Sequence, residues 1–146
     1  MTDTFIERYC AFFESLDQER LGDIDKLFHP DALFRDPFNH VRGREPIRRI
    51  FEHLLQEYPR TRFRVLEAVP GILSAYIRWT FRPDTDKQLE IEGLSRVVFD
   101  EHGAVIEHRD YWDSASELFA QLPVTGPPTR WLLRQAQACA ADQELV

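Results

Sequence analysis

The stretch Phe34-Arg35-Asp36-Pro37-Phe38-Asn39, followed by Arg42-Gly43-Arg44-Glu45-Pro46-Ile47, carries more information about the fold than any other part of the sequence. The Asp-Pro pair favours an extended residue before proline and removes one backbone donor, so Asp36 is expected at the end of a strand. Pro46 suits the first turn of a helix, where a missing N–H costs no hydrogen bond. The stretch therefore predicts a strand, a turn and a helix. The Asp36 carboxylate at their junction is either a turn former or a catalytic group.

Three N-terminal helices are predicted. Apolar residues recur at three- and four-residue steps between Phe5 and Leu16, a spacing typical of an amphipathic helix that faces a core. A short second helix is expected from Gly22 to Phe28, and a first strand from Ala32 to Arg35. The third helix should end near Tyr58-Pro59, and its predicted buried face consists of Ile47, Ile50, Phe51, Leu54 and Leu55.

From Arg62 onward the pattern changes to strands. Runs rich in β-forming residues are separated by Pro, Gly and Asp breaks, which predicts strands over Arg62–Val69, Ile72–Arg82, Gln88–Asp100 and Val105–Trp112. Strands joined by short turns after three helices indicate an α+β fold, in which an antiparallel sheet packs against helices on one face. Two further helices are predicted at the C-terminal end, over Ser114–Leu122 and Thr129–Ala141.

Composition agrees with one globular domain. The chain has 146 residues, of which 43% are hydrophobic and 29% charged, enough to bury a core. The formal net charge of −7 argues against nonspecific nucleic-acid binding, which needs a basic surface. No apolar run approaches the roughly 20 residues that cross a bilayer, so no membrane span is predicted. Cys10 and Cys139 are expected to be reduced thiols of a cytoplasmic protein, because no signal peptide is recognisable.

Four motifs follow one another along the chain: Asp36-Pro37-Phe38, Gly43-Arg44-Glu45, the polar hairpin turn Phe99-Asp100-Glu101-His102-Gly103, and Tyr111-Trp112. Their order and spacing resemble the SnoaL-like and ketosteroid isomerase-like members of the nuclear transport factor 2-like superfamily. The resemblance implies a cone-shaped α+β domain of the cystatin-like fold, with a pocket between a curved antiparallel sheet and three N-terminal helices. Residues 1–146 are then one domain, with its core over about 5–122 and a C-terminal helical extension over about 123–146.

Strand alternation predicts which side chains meet in that pocket. In the last strand, one face carries Ile106, His108, Asp110 and Trp112. The resemblance implies that Trp112 lines the pocket and that Asp36 is the base. It also implies that Phe12 or Phe13, together with Ser95, replaces the tyrosine and the aspartic acid that stabilise the enolate in ketosteroid isomerases. Because both donors are missing, steroid isomerisation itself is not expected.

The predicted catalytic residues are therefore Asp36, His108 and Asp110, with His108 as an acid or base that a carboxylate orients. The predicted pocket residues are Phe12, Phe13, Phe38, Arg78, Ser95 and Trp112, although Arg78 shares its strand with a more apolar face. No metal is expected, because His108 and Asp110 would still need a third ligand. No other cofactor is expected.

Three functions stay open. The first is an enzyme, namely an isomerase, cyclase, dehydratase or hydrolase that acts on a small apolar or polyketide-like molecule. The second is a protein that binds such a molecule without turnover, and the third is a dimeric scaffold with a cavity too narrow for a ligand. A homodimer is expected because the sheet is predicted to be apolar on both faces, and one small domain covers only one of them.

Overall fold

The computed structural model describes residues 1–83, 89–121 and 123–136. The predicted boundaries at Gln88, Leu122 and Ala141 lie outside these residues, and so does Cys139. The chain divides into two compact units, Met1–Tyr111 and a second unit that begins at Trp112. The first unit contains the sheet and the N-terminal helices, and the second contains the C-terminal helices.

The N-terminal helices lie close to where the sequence predicts them. Their bounds are Thr2–Glu14 for α1, Ile24–Leu27 for α2 and Arg44–Glu57 for α3, with a 3₁₀ turn over Gln18–Asp23 before α2. Pro46 lies in the first turn of α3, as predicted. Gly43 precedes this helix with a φ of 99°, a left-handed conformation that glycine adopts at little cost.

The strands form one curved sheet. Their bounds are Phe28–Arg35 for β1, His40–Arg42 for β2, Arg62–Gly71 for β3, Ser74–Arg82 for β4, Ile91–Phe99 for β5 and Val105–Tyr111 for β6. The order across the sheet is β2-β1-β6-β5-β4-β3, which confirms the predicted α+β fold class. One pair differs from the prediction, because β1 and β6 run parallel. These two strands are far apart in the sequence, so no hairpin turn sets their relative direction.

Helices α1 and α3 pack on one face of this sheet through aromatic side chains. Phe13 of α1 lies with its ring centroid 5.3 Å from that of Phe51 on α3 and 5.7 Å from that of Phe63 on β3. Phe51 in turn meets Phe34 of β1 edge to face. Such edge-to-face contacts are a favoured geometry for buried rings. The inner face of the sheet is therefore the face that holds the core.

A β-bulge in β6 corrects the predicted alternation of that strand. Val105 pairs with Phe99 and Glu107 pairs with Val98, so Ile106 is an extra residue without a partner on β5. As a result Val105 is buried, with 1% of its surface exposed, whereas Ile106 is 38% exposed. The prediction that Ile106 shares the pocket face with His108 is therefore wrong.

The outer face of the sheet is less apolar than predicted. Arg78 forms ion pairs with Glu92 and Glu67, at N–O distances of 2.8 and 3.6 Å. Arg96 pairs with Glu107 at 2.6 Å. Partly exposed apolar side chains lie on the same strands, among them Leu66, Val69, Tyr76 and Tyr111. The predicted homodimer stays a prediction.

The C-terminal unit is built from short helical segments. These are α4 at Ser114–Glu117, a 3₁₀ turn at Phe119–Gln121 and α5 at Gly126–Ala136. Asp113 caps α4, since its carboxylate accepts a hydrogen bond from the backbone N–H of Ser116. The first of the two helices predicted here is therefore interrupted. No helix among the described residues has the length and apolar character needed to span a membrane.

Candidate functional site

A cavity opens between the inner face of the sheet and the helices of the N-terminal unit. Its walls are mostly aromatic, and the rings come from Tyr9, Phe13, Phe51, Phe63 and Trp79. Val65, Ile77 and Cys10 complete the walls around three polar side chains, those of Ser95, His108 and Asp110. The cavity is thus an apolar space that contains one concentrated polar group of residues.

The cavity volume is about 50 Å³. This is several times the roughly 10–15 Å³ that one water molecule requires. It is much smaller than the roughly 300–1,000 Å³ of pockets that enclose drug-sized ligands. The cavity therefore has room for a small group, and a larger molecule requires its aromatic walls to move.

The polar residues form one continuous hydrogen-bonded chain across four elements, α1, β4, β5 and β6. Tyr9 Oη on α1 lies 2.5 Å from His108 Nδ1, and His108 Nε2 lies 2.6 Å from Asp110 Oδ1. Ser95 Oγ on β5 donates to the same Oδ1 at 2.5 Å, and Trp79 Nε1 on β4 donates to Ser95 Oγ at 2.7 Å. We call Tyr9, His108, Asp110, Ser95 and Trp79 the polar chain.

Register explains why these residues meet. Ser95 pairs with Asp110 and Val97 pairs with His108, so Ser95, Asp110 and His108 all lie on the inner face. Ile77 and Trp79 of β4 pair with Ser95 and Gly93, which continues the same face. Side chains two residues apart on one strand lie on the same side of a sheet.

The His108 ring is enclosed on several sides. It stacks on Phe34 with a centroid distance of 4.7 Å and an interplanar angle of 13°, and it also contacts Tyr9 and Phe13. Only 4% of its surface is exposed. The imidazole orientation is thus fixed by packing as well as by hydrogen bonds.

Burial changes the acid–base behaviour of two residues that line the cavity. Burial, followed by the negative charge of Asp110, raises the pKa of Tyr9 well above its usual value of 10.0. Burial and the charge of Glu14 raise the pKa of Cys10 to about 11. Both residues therefore keep their protons at neutral pH. Among the described residues, no three His, Cys, Asp or Glu side chains come together as potential metal ligands.

Four of the predicted site residues line the cavity, namely Phe13, Ser95, His108 and Asp110. Phe12 instead belongs to the core, and Phe38 is 57% exposed. Arg78 lies on the outer face, because Ile77 and Trp79 on either side of it face inward. Trp112 belongs to the second compact unit.

Asp36 lies in the turn after β1 and does not line the cavity. Its Oδ1 accepts hydrogen bonds from the backbone N–H groups of Phe38 and Asn39, at 2.8 and 2.6 Å. The side-chain amide of Asn39 contacts both carboxylate oxygens. This is the geometry of a turn-forming aspartate, which was the alternative interpretation of the sequence.

Tyr9 and Trp79 are the two members of the polar chain that sequence reasoning did not select. Tyr9 belongs to the apolar spacing between Phe5 and Leu16, and Trp79 belongs to the more apolar face of the strand that contains Arg78. What identifies them as polar contributors is that each ring carries one hydrogen-bond donor, unlike the phenylalanines beside them. The donors are visible in the sequence, but their partners, His108 and Ser95, are known only from the structure.

Known protein families and solved structures share this architecture. A family model described as the SnoaL-like domain matches residues 9–108. Among solved structures, a proposed SnoaL-like polyketide cyclase from Jannaschia sp. CCS1 has a TM-score of 0.67 and 13% identity, covering 79% of this chain and 87% of that chain. A proposed isomerase of the SnoaL-like family from Agrobacterium tumefaciens has a TM-score of 0.64 and 17% identity, covering 75% and 95%.

A proposed ketosteroid isomerase from Kribbella flavida is also similar, with a TM-score of 0.62 and 18% identity over 77% of each chain. A search of curated proteins gives no match. At these identities the likeness to solved structures establishes the fold and leaves the activity open.

Proposed function

This chain belongs to the SnoaL-like domain family, and from that membership and the polar chain we propose that it is an acid–base enzyme of the polyketide cyclase or isomerase type. Its substrate is a small apolar carbonyl compound. Asp110 is the proton-accepting group, and His108 orients it. This assignment gives the central role to Asp110 and His108 among the predicted catalytic residues.

The unequal environment of the two Asp110 oxygens is the observation that carries the proposal. Oδ1 accepts from His108 and Ser95. Within the described parts of the chain, no residue donates to Oδ2. The side chain is 16% exposed and lines the apolar cavity. A carboxylate fixed through one oxygen, with the other available, suits a general base in a site that excludes most water.

The chemistry follows from this geometry. Asp110 Oδ2 accepts a proton from a carbon next to the carbonyl, the C–H bond breaks, and its electron pair is delocalised onto the carbonyl oxygen. If a carbon–carbon double bond lies next to that carbon, the resulting dienolate takes the proton back from Asp110 at the far end of the double bond, which is isomerisation. Otherwise the enolate carbon attacks a second carbonyl carbon, whose oxygen receives the electron pair and then takes the proton from Asp110, which is cyclisation. The aromatic walls favour an apolar ring or chain next to the reacting carbons.

Hydrogen–deuterium exchange at the carbon next to a carbonyl tests this proposal without knowledge of the natural product. Small cyclic ketones and β-dicarbonyl compounds are incubated with the protein in D₂O, and loss of the C–H signal is followed by NMR. We expect catalysed exchange that falls by about 10²–10⁴-fold in Asp110→Asn, the usual contribution of a general base. Wild-type exchange no faster than buffer across the panel contradicts the proposal.

The catalytic role predicted for Asp36 is tested by a substitution of Asp36 in the same assay. Asp36→Asn keeps a side-chain oxygen that can accept from the turn N–H groups and removes the carboxylate. If Asp110 is the base, Asp36→Asn retains most of the wild-type exchange rate. A loss in Asp36→Asn as large as that in Asp110→Asn assigns the base to Asp36 instead.

A ligand-binding protein without turnover is the second candidate, and one observation favours it. Tyr9 is hydrogen-bonded to His108, Trp79 is hydrogen-bonded to Ser95, and His108 and Ser95 both bond Asp110, so most polar groups at the cavity are already satisfied. For a binder, the same panel produces NMR shift changes in cavity residues with no catalysed exchange. This pattern, together with unaltered binding in Asp110→Asn, selects the second candidate.

A further inference from the structure

We propose that the polar chain is directional: Trp79 and Ser95 donate toward Asp110 from one side, and Tyr9 and His108 donate toward it from the other. This arrangement fixes His108 as the neutral tautomer that carries its proton on Nε2. Tyr9, Ser95 and Trp79 are then positioning residues for Asp110. The positioning role of these residues rests on the proposed function, whereas the hydrogen-bond directions and the His108 tautomer do not depend on it.

The direction on the β4 side follows from the donors available. An indole N–H only donates, so Ser95 Oγ must accept from Trp79. The hydroxyl hydrogen of Ser95 is then free to donate to Asp110 Oδ1, and an ionised carboxylate only accepts. Because the Ser95 hydroxyl accepts from Trp79, its own hydrogen points toward Asp110.

The same rule sets the proton on the near side of His108. His108 Nε2 lies 2.6 Å from Asp110 Oδ1. Because the carboxylate oxygen accepts, Nε2 must carry a hydrogen. The open question is whether Nδ1 also carries one, which makes the ring cationic, or carries a lone pair, which makes it neutral.

Tyr9 decides between these two states. Its Oη is buried, and His108 Nδ1 is its only hydrogen-bond partner among the described residues. If Nδ1 carried a hydrogen, Tyr9 would have to accept it, and the phenolic hydrogen would be buried without an acceptor. An unsatisfied buried donor is destabilising. Ionisation of Tyr9 does not relieve this, because burial and the Asp110 charge oppose a tyrosinate.

A neutral His108 leaves no hydrogen of the polar chain without an acceptor. Tyr9 donates to Nδ1, Nε2 donates to Asp110, and Asp110 Oδ1 receives two hydrogens in all. Both donors meet at one oxygen, so they hold the carboxylate rotamer and leave Oδ2 as the oxygen for a substrate proton. The aromatic packing on His108 keeps the ring from turning away from this arrangement.

NMR of protein labelled with ¹⁵N in histidine measures this directly. Long-range proton–nitrogen spectra distinguish the two ring nitrogens by their couplings to the ring protons, and His108→Gln identifies the His108 signals among the five histidines. We expect a protonated Nε2 and an unprotonated Nδ1 at neutral pH. A His108 with both nitrogens protonated, or with the proton on Nδ1, overturns the inference.

Variants at the two ends test the roles of the positioning residues. In Tyr9→Phe the Nδ1 signal should move toward that of a nitrogen without a donor, while Nε2 stays protonated. Tyr76→Phe is the matched control, because Tyr76 lies on the outer face of β4 and 46% of its surface is exposed. An unchanged Nδ1 signal in Tyr9→Phe contradicts the role given to Tyr9.

The catalytic meaning needs a second readout. Ser95→Ala removes one donor from Asp110 and should lower kcat in the exchange assay by about 10-fold or more with little change in KM, the effect expected from loss of one hydrogen bond to a charged group. Ser95→Thr keeps the hydroxyl and should retain most of the activity. Equal losses in both variants contradict positioning by the hydroxyl. If the wild type shows the expected tautomer and no exchange, the proposed function fails and the directional chain stands.

Discussion

Gly93→Ala tests the packing that supports the polar chain. Gly93 lies opposite Trp79 in the β4–β5 ladder, and a Cβ built on it falls 2.4 Å from two carbons of the indole ring. Because the ring is rigid, it must shift by about 1 Å to restore an ordinary contact. Overpacking of this kind costs about 1–3 kcal/mol, and loss of the Trp79–Ser95 hydrogen bond costs about 0.5–1.5 kcal/mol.

A smaller effect opposes these costs. Replacing a glycine within a strand by alanine favours folding by about 0.5–1 kcal/mol, because the unfolded chain loses freedom. The net expectation is therefore a loss of about 0.5–4 kcal/mol in the free energy of unfolding, measured by urea denaturation. The indole N–H signal of Trp79 should shift at the same time, since its acceptor has moved.

Gly22→Ala is the matched control, because a Cβ at Gly22 meets no atom within 4 Å. It should leave the free energy of unfolding unchanged or slightly raised. Equal stability of the Gly93→Ala and Gly22→Ala variants, with an unmoved Trp79 signal, refutes the claim that the indole is held against Gly93. A second check is Gly93→Ala in a Trp79→Leu background, where most of the penalty should disappear.

Three further predictions concern single groups. Burial raises the pKa of Tyr9 above 10.0, so above pH 10 the unfolded state loses the Tyr9 proton while the folded state keeps it. The stability of the wild type relative to Tyr9→Phe should therefore fall above pH 10 by about 1.4 kcal/mol per pH unit, and equal pH profiles of the two proteins contradict this. Cys10 has a pKa of about 11, so it should react with iodoacetamide at pH 8 about a hundredfold more slowly than an ordinary cysteine. The reaction is followed by mass spectrometry in a Cys139→Ser background, and the urea-unfolded protein is the control. Asp36→Ala should lower the free energy of unfolding by about 1 kcal/mol through loss of the turn hydrogen bonds, and a variant as stable as wild type argues against that structural role.

The sequence predicted most of the fold because its local signals agree with one another. The Asp-Pro turn, the helical spacing of α1 and α3, and the strands broken by Pro and Gly all belong to elements that the structure contains. The parallel pairing of β1 with β6 was not predictable in the same way. It depends on the tertiary arrangement of two strands that are separated by residues 36–104 of the chain, and no local turn determines it.

The site was predicted less completely, and Arg78 shows why. An arginine between Ile77 and Trp79 must face away from them, so alternation alone placed it on the outer face, where two glutamates pair with it. The pocket was nevertheless predicted to include Arg78, although Ile77 and Trp79 belong to the more apolar face of its strand. Tyr9, in contrast, was predicted only to pack in the core, because it belongs to the apolar spacing of the first helix. Its role depends on a contact between residues 99 positions apart in the chain, which a periodic pattern does not contain.

The bulge at Ile106 shows how one irregular position reconciles two demands on β6. The start of the strand must bury Val105 against the core, where it pairs with Phe99. Three residues later, His108 must also face inward, and strict alternation forbids both. The extra residue resolves the conflict by turning outward, so Glu107 and Arg109 keep to the outer face while Asp110 is the one carboxylate that β6 brings to the cavity. The position of that single charge therefore depends on backbone irregularity as much as on the choice of residue.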